Sequence, residues 1–403
     1  MPERERLDIV YFGNDWFAEN RTSSHHIAQR LSQRFRLLYV EAPGLRAPNA
    51  GARDVRKLFR KLGKALAPPR PVAPAMWHMT VPQIPFRRLP LAGGMNRRFG
   101  AQRLRAALRG LGFRHPLLWF TVPHVGHFAG RLDEQMVVYY CIDNYSALPG
   151  VDGAMVARMD EDLTRRADLV FVCSPGLMAA KKPLNPRTID SPHGVDTELF
   201  ARAQAPLPPA EGARGLRRPV IGMHGVIDER FDLRLLTDLA AARPDWTFLL
   251  VGHVAAEVGA LRSLPNVVLA GQVPYRELPD WARAYDAAIM PYKTGPFSQN
   301  ANPLKLREYL ACGKPVVSTP MPSLEPFREH VLTACGAGEF IAAIERALAD
   351  DSQAARLARM RAIRHMSWEA RVDEVVAVIE QYRAGSAGRT APQEFMVSSR
   401  QSS

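Results

Sequence analysis

Several signatures are absent from this 403-residue chain, and each absence removes a class of function. No run approaches the roughly 18 consecutive apolar residues that a membrane span requires, so a transmembrane protein is not expected. There is no GxSxG elbow, no HExxH and no GxxxxGK followed by Ser or Thr. Serine hydrolase, zincin and P-loop readings therefore lose their usual support. Cysteine is scarce: Cys141, Cys173, Cys312 and Cys335 stand far apart, with no CxxC pair. Buried free thiols are expected rather than disulfides or a zinc site. The opening MPERERLDIV runs straight into a strand pattern without an apolar signal region, so cytoplasmic placement is expected. No internal repeat is visible.

What is present is ordinary globular composition, 47% hydrophobic and 23% charged, which excludes a largely disordered or fibrous chain. The length exceeds what one core usually serves, so two domains are expected. Lys and Arg number 53 against 40 Asp and Glu, a net charge of +13. The excess is local. Between Arg53 and Arg114 stand fifteen Arg and Lys and one acid, Asp54, giving 15 − 1 = +14 and leaving 38 − 39 = −1 for the rest. There Val55, Leu58, Phe59, Leu62 and Leu66 recur at helical spacing, with Arg56, Lys57, Arg60, Lys61 and Lys64 on the other side. This is a basic amphipathic helix. It suits an anionic membrane surface, and equally a solvated cationic helix packed on its own domain. No aromatic-interleaved basic motif accompanies it, so nucleic acid is not expected as a partner.

Short apolar runs alternate with amphipathic helical patterns, which predicts an α/β protein with parallel sheets covered by helices. Strands are expected at Leu7–Gly13, Arg36–Glu41, Leu117–Val122, Met136–Ile142 and Asp168–Ser174, with helices at Ser24–Arg34 and Met155–Ala167 between them. A second series follows at Pro219–Val226, Thr247–Gly252, Val267–Ala270, Ala287–Tyr292 and Pro315–Thr319. Its expected helices lie at Asp232–Ala242, Leu304–Cys312 and Glu339–Ala349. The Pro/Ala/Gly/Arg-rich stretch 201–218 reads as a linker between domains at 1–200 and 219–365. A last helix over 366–383 and a disordered tail over 384–403 complete the expectation. Ligands of such sheets bind beyond the carboxyl ends of the strands, here in the cleft between domains.

Three segments offer chemistry. The first strand has no GxGxxG after it and runs instead into Gly13-Asn14-Asp15, then Asn20-Arg21-Thr22-Ser23-Ser24, which opens a helix. Free N–H groups and hydroxyls there suit a polar ligand such as an acceptor, and a plain N-cap by Ser23 or Ser24 explains the same residues. Asp160-Glu161-Asp162 matches a DxD pattern, but sits in a helical run with Arg165 and Arg166 following, so a solvated helix face and no metal are expected. The third is PYKTGPFSQNANPLKLREYLACGKPVVSTP, residues 291–320. A strand, a loop with Gly295 and Pro303, a helix from Leu304 and a stop at Gly313 place a helix amino end at the cleft, a ready anion site. Lys305 adds a cation in the first turn, and Glu308 one turn on could accept bonds from ribose hydroxyls. On spacing alone Lys305, Arg307 and Glu308 are equally well polar positions on a half-buried helix.

At this segment the chain resembles the GT-B retaining glycosyltransferases of family 4. Their acid, seven residues, Glu pattern before a Gly-x-Pro-Val-Val strand corresponds to Asn300, Glu308 and Ala311-Cys312-Gly313-Lys314-Pro315-Val316-Val317. Ser191-Pro192-His193-Gly194-Val195-Asp196 with Phe200 looks like the family's P-N-G-V-D…F passage, preceded by ADLVFVCSPGL. HGVIDERFDLRLLTDLAAARPDWTFLLVG looks like the first β-α-β of its nucleotide-binding domain. The resemblance implies two Rossmann-like domains facing a cleft, with a C-terminal helix packing back on the first.

It also implies a nucleoside diphosphate sugar as donor, no cofactor or metal, and retention of configuration. Glu308 would bind the ribose, and the Ala301, Asn302, Leu304, Lys305 turn and the Gly225 loop the diphosphate. Asn300 stands where the family's acid meets the sugar. The Arg and Lys that members often carry after the first C-terminal-domain strand are reduced to Arg230. The family's N-terminal-domain His has no clear counterpart: Thr121 aligns there, with His124 three residues later. His124 or Asp143 could orient an acceptor hydroxyl, and Asp143 could equally cap a helix. A lipid-linked or polysaccharide acceptor at the inner membrane face is expected. A non-catalytic assembly module and a sugar-nucleotide epimerase are the alternatives.

Overall fold

The computed structural model describes residues 7–19, 21–45, 67–81, 90–148 and 150–387. The basic segment with Arg56, Lys57, Arg60, Lys61 and Lys64 lies outside the described residues, as does 388–403. Two sheets organise the rest. The first is built from β1 (Asp8–Gly13), β2 (Arg36–Glu41), β3 (Arg70–Ala73), β4 (Met76–Thr80), β5 (Leu117–Phe120), β6 (Met136–Cys141), β7 (Leu169–Val172) and β8 (Thr188–Asp190). The second comprises β9 (Val220–His224), β10 (Thr247–Val251), β11 (Val267–Gly271), β12 (Ala287–Met290), β13 (Val316–Ser318) and β14 (Val331–Thr333).

The first sheet runs β3-β4-β2-β1-β5-β6-β7-β8, all parallel except the edge pair β3–β4. The second runs β11-β10-β9-β12-β13-β14, entirely parallel. Both are doubly wound, with the strand order reversing beside β1 in one and β9 in the other. Burial explains the continuous apolar runs: every residue of β1, β6, β9 and β10 is buried, because helices cover both faces.

The last helix, Trp368–Ala387, crosses back to the first domain. Trp368, Val372, Val375 and Ile379 join a core with Ile9, Tyr11, Ile27 and Trp119. Arg30 Nε donates to Glu369 at 2.7 Å, and Tyr382 Oη to Asp168 at 3.2 Å. This helix runs four residues beyond the expected end at Arg383, continuing through Gly385 to Ala387. The 201–218 stretch is strapped to the second domain rather than loose: Ala210 N–H donates to the Asp280 carbonyl at 3.0 Å and Arg283 to that of Pro208 at 2.8 Å. Cys141, Cys173 and Cys312 are buried free thiols and Cys335 an exposed one.

Candidate active site

β9 and β12 are neighbours at the switch point of the second sheet, where the strand order reverses and ligands of such sheets bind in the crevice beyond the carboxyl ends. β9 ends at His224 and turns at Gly225, whose φ of +112° is one that side chains rarely adopt. A Cβ at Gly225 would also come within 2.9 Å of Lys305 Nζ. Gly252, at the end of β10, has φ +147° and lies so close to the Gly225 carbonyl that a Cβ would collide with it. Bare backbone therefore lines this end of the crevice. The loops after β9 and β12 are stitched together: Lys293 N–H donates to the Arg230 carbonyl at 2.9 Å and Asp232 N–H to that of Pro291 at 2.8 Å. Phe231 stacks on Tyr292 with centroids 4.6 Å apart.

Two cations converge there. Arg230 Nε donates to both oxygens of Asp228, at 2.8 and 2.9 Å, and its guanidinium lies 5.3 Å from the Phe297 ring centroid. Burial pushes the Asp228 carboxyl up, but the bonds from Arg230 outweigh it and the net shift is downward. Lys305 rises from the first turn of the helix Leu304–Ala311, with Nζ 4.3 Å from the Phe231 centroid and 5.5 Å from that of Tyr292. Burial, and then the Arg230 charge, bring its pKa from 10.5 down to about 7. An anion arriving between these cations would restore the full charge of Lys305. Pro303 precedes the helix and among the described residues no side chain caps it, so first-turn N–H groups remain for a ligand. The second cation thus comes from this helix, not from the stretch after β9 where the family pattern places it.

Glu308 lies one turn deeper, 7% exposed, and its Oε2 accepts from His224 Nε2 at 3.0 Å. Tyr275 is close enough to feel it: burial, and then the Glu308 charge, hold the phenol well above its usual range.

The first domain closes the other side. Asp143, just past β6, accepts from Asn144 N–H at 2.8 Å. Burial raises its carboxyl, while the charge of Arg230, from the opposite domain, pulls it down. Asn300 rests against Gly176, where a Cβ would collide with its Oδ1. Asn302 donates through Nδ2 to the Cys173 carbonyl and accepts from Arg307 at 2.7 Å. Leu304 packs into the core formed by the first sheet and the last helix. The amino end of the helix bearing Glu308 therefore faces the gap between domains.

Other expected residues are engaged by protein partners. The Ala301 N–H is spent on the Phe297 carbonyl at 2.9 Å, and both ends of the Asn302 amide on protein partners. Gly13 is glycine because Tyr39 Oη and Ser24 Oγ press against it. The Asn14 carbonyl accepts from Tyr39 at 2.7 Å, and Arg21 lies over Trp16 at 5.2 Å. Asp15 Oδ1 accepts from Phe17 N–H at 2.9 Å.

The helix Ser23–Ser32 is entered through Thr22, not capped by Ser23 or Ser24. Thr22 N–H donates to His25 Nδ1 at 3.1 Å, which leaves the ring proton on Nε2 to reach the Asp15 carbonyl at 2.7 Å. Ser23 Oγ instead lies 2.9 Å from His193 Nδ1, and Ser24 Oγ 3.3 Å from Thr121 Oγ1. His124 donates to the Pro43 carbonyl at 2.7 Å. In the DxD run, Asp160 accepts from Tyr139 at 2.5 Å and pairs with Lys181, while Glu161 and Asp162 each hold an arginine four residues on, at 3.2 Å.

His224, Asp228 and Tyr275 were not anticipated. Nothing in the spacing could have paired His224 with a residue 84 positions away.

Solved structures with a similar fold include sucrose-phosphate synthase from Thermosynechococcus elongatus, with a TM-score of 0.68 at 20% identity, covering 94% of this chain and 100% of that one. Anabaena HepE in complex with UDP matches with a TM-score of 0.62 at 15% identity, over 93% of this chain and 100% of that one. The chain has the GT-B glycosyltransferase fold. Residues 218–350, which span the second sheet, match the family model for glycosyl transferases group 1. A curated relative, provisionally assigned to teichuronic acid biosynthesis in Bacillus subtilis as the glycosyltransferase TuaH, is 29% identical over 251 residues. That match spans 57% of this chain and 63% of the relative's length.

Proposed function

We propose that this protein is a retaining, metal-independent glycosyltransferase that moves a sugar from a nucleoside diphosphate sugar to a lipid-linked or polysaccharide acceptor. One observation carries the reading: Lys305, poised near pKa 7 beside Arg230, stands at an uncapped helix amino end that faces the other domain. Such a site suits an anion. A diphosphate there would draw hydrogen bonds from the first-turn amides and charge from both cations, with its ribose reaching Glu308. As the sugar–phosphate bond breaks, negative charge builds on the departing diphosphate and positive charge on the sugar ring. Fixed N–H dipoles and cations stabilise the former without a metal.

Asp143 of the first domain, which feels the charge of Arg230, would orient an acceptor hydroxyl, while domain closure would limit hydrolysis. Retention of configuration follows from the family resemblance. The TuaH relative and the UDP-bound HepE support the donor and polymer classes by analogy only. Among the described residues no helix is long and apolar enough to cross a membrane, and the basic segment 53–64 would bring the protein to the inner membrane face.

Two assays test this. Incubation with labelled UDP-, GDP-, ADP- and dTDP-sugars should yield transfer or slow hydrolysis of at least one donor. No turnover of any would favour the non-catalytic assembly reading. Binding to anionic vesicles should weaken when Arg56, Lys57, Arg60 and Lys61 are neutralised, and undiminished binding would remove the membrane part.

A further inference from the structure

His224 ends β9 with 1% of its surface exposed, walled by the rings of Phe200, Tyr285 and Tyr309 at centroid distances of 6.1, 6.3 and 4.5 Å. Its backbone N–H donates to Tyr309 Oη at 2.8 Å, which fixes the strand end against the helix that bears Glu308. Its ring makes one hydrogen bond, from Nε2 to Glu308 Oε2 at 3.0 Å, and Nδ1 has no partner among the described residues. A carboxylate only accepts, so Nε2 is the donor. In an aromatic wall of this kind an apolar residue would pack without leaving a buried nitrogen unsatisfied, which is costly. The imidazole is therefore explained by what it does to Glu308. His224 holds Oε2 and the Tyr275 phenol also bonds the carboxylate, which fixes its orientation, and the remaining lone pairs of its oxygens can still accept a ligand hydroxyl.

We propose that His224 is the positioning residue for Glu308, locking the carboxylate so that it accepts a ribose hydroxyl, and that this lock sets the enzyme's preference for ribonucleotide over deoxyribonucleotide donors. The inference rests on the donor-site reading above. A side chain that merely fills space would support the site's stability without distinguishing one nucleotide from another. A lock on Glu308 acts on one contact, the ribose hydroxyl.

The test uses the full chain and calorimetric Kd values for UDP, GDP and ADP and for their 2′- and 3′-deoxy counterparts. Wild type should bind its best ribonucleotide about tenfold or more tighter than the deoxy form that lacks the contacted hydroxyl. That ratio should fall to near one in Glu308→Ala and equally in His224→Phe. It should return in His224→Gln, whose side-chain amide can donate to the same oxygen. His224→Met serves as the apolar variant if the phenylalanine variant does not fold. Weakening of ribo and deoxy forms by the same factor in the apolar variant, or a preserved ratio, overturns the proposal. The two failures are distinct: a ratio lost in Glu308→Ala but kept in His224→Phe sinks only the lock. Absent binding, or a ratio that survives Glu308→Ala, removes the ribose role of Glu308 and the lock with it.

Discussion

Lys305 is a first-turn cation packed on two aromatic faces, with burial and Arg230 both opposing its charge. With the free pKa lowered to about 7, the lysine is charged below that pH and increasingly neutral above it. A bound diphosphate favours the charged form, so its arrival raises the pKa and takes up a proton. Affinity for a sugar-blocked diphosphate, which has no proton of its own to lose in this range, should be highest below pH 7. It should decline towards tenfold per unit above pH 7, until the pKa of the bound state is reached. Lys305→Met should bind more weakly at pH 6 and lose the slope, as read by calorimetry from pH 6 to 9; an unchanged slope would place the titration elsewhere. Spacing alone left the Lys305 and Glu308 side chains equally readable as polar positions on a half-buried helix, while the helix that bears them was legible because helix period is local. Asn302 was not: its partner Cys173 lies 129 positions away in sequence, and only the docking of two domains turns its amide from the crevice into an interdomain bond.

The loop after β9 and the helix Leu304–Ala311 work as a unit because Gly225 leaves room for Lys305. Gly225→Ala should cost about 1–3 kcal/mol for a side chain at that φ, seen as a lower denaturant midpoint, and should also weaken diphosphate binding by displacing the lysine. Full stability with full affinity would show that the turn tolerates a side chain. The central strands were readable as continuous apolar runs, since burial on both faces leaves no alternation to interpret. The edge pair β3–β4 was not, because RPVA is short and opens beside prolines, and edge strands owe their pairing to a neighbour rather than to their own pattern. The helix Pro90–Leu111 was hidden for a related reason: Gly93, Gly94 and its many arginines obscure the apolar period.

The two domains and the returning helix meet around buried histidines. His26 stacks on Trp368 at 4.8 Å with ring planes 5° apart and touches Tyr275 of the second domain at 5.1 Å. Burial drives the His26 pKa well below 6.5, and burial followed by the Arg307 charge brings that of His193 down to about 3. Both rings are neutral in the folded chain and take up protons on unfolding. Their contribution to stability is therefore complete above about pH 6.5 and is lost as the pH falls from there towards 3. The melting temperature should accordingly drop on acidification below pH 6.5, and less steeply in His26→Phe, which keeps the stack; identical slopes would assign the loss to other groups.

The arrangement as a whole makes one claim, that the gap between the domains holds a nucleoside diphosphate by the amino end of the Leu304–Ala311 helix. Calorimetric titration of UDP, GDP and ADP into wild type and Glu308→Ala tests it most directly. At least one nucleotide should bind wild type, and the variant should lose about 1.5–3 kcal/mol, roughly tenfold to hundredfold in Kd. Binding of none of them, or equal affinity in both proteins, would contradict it.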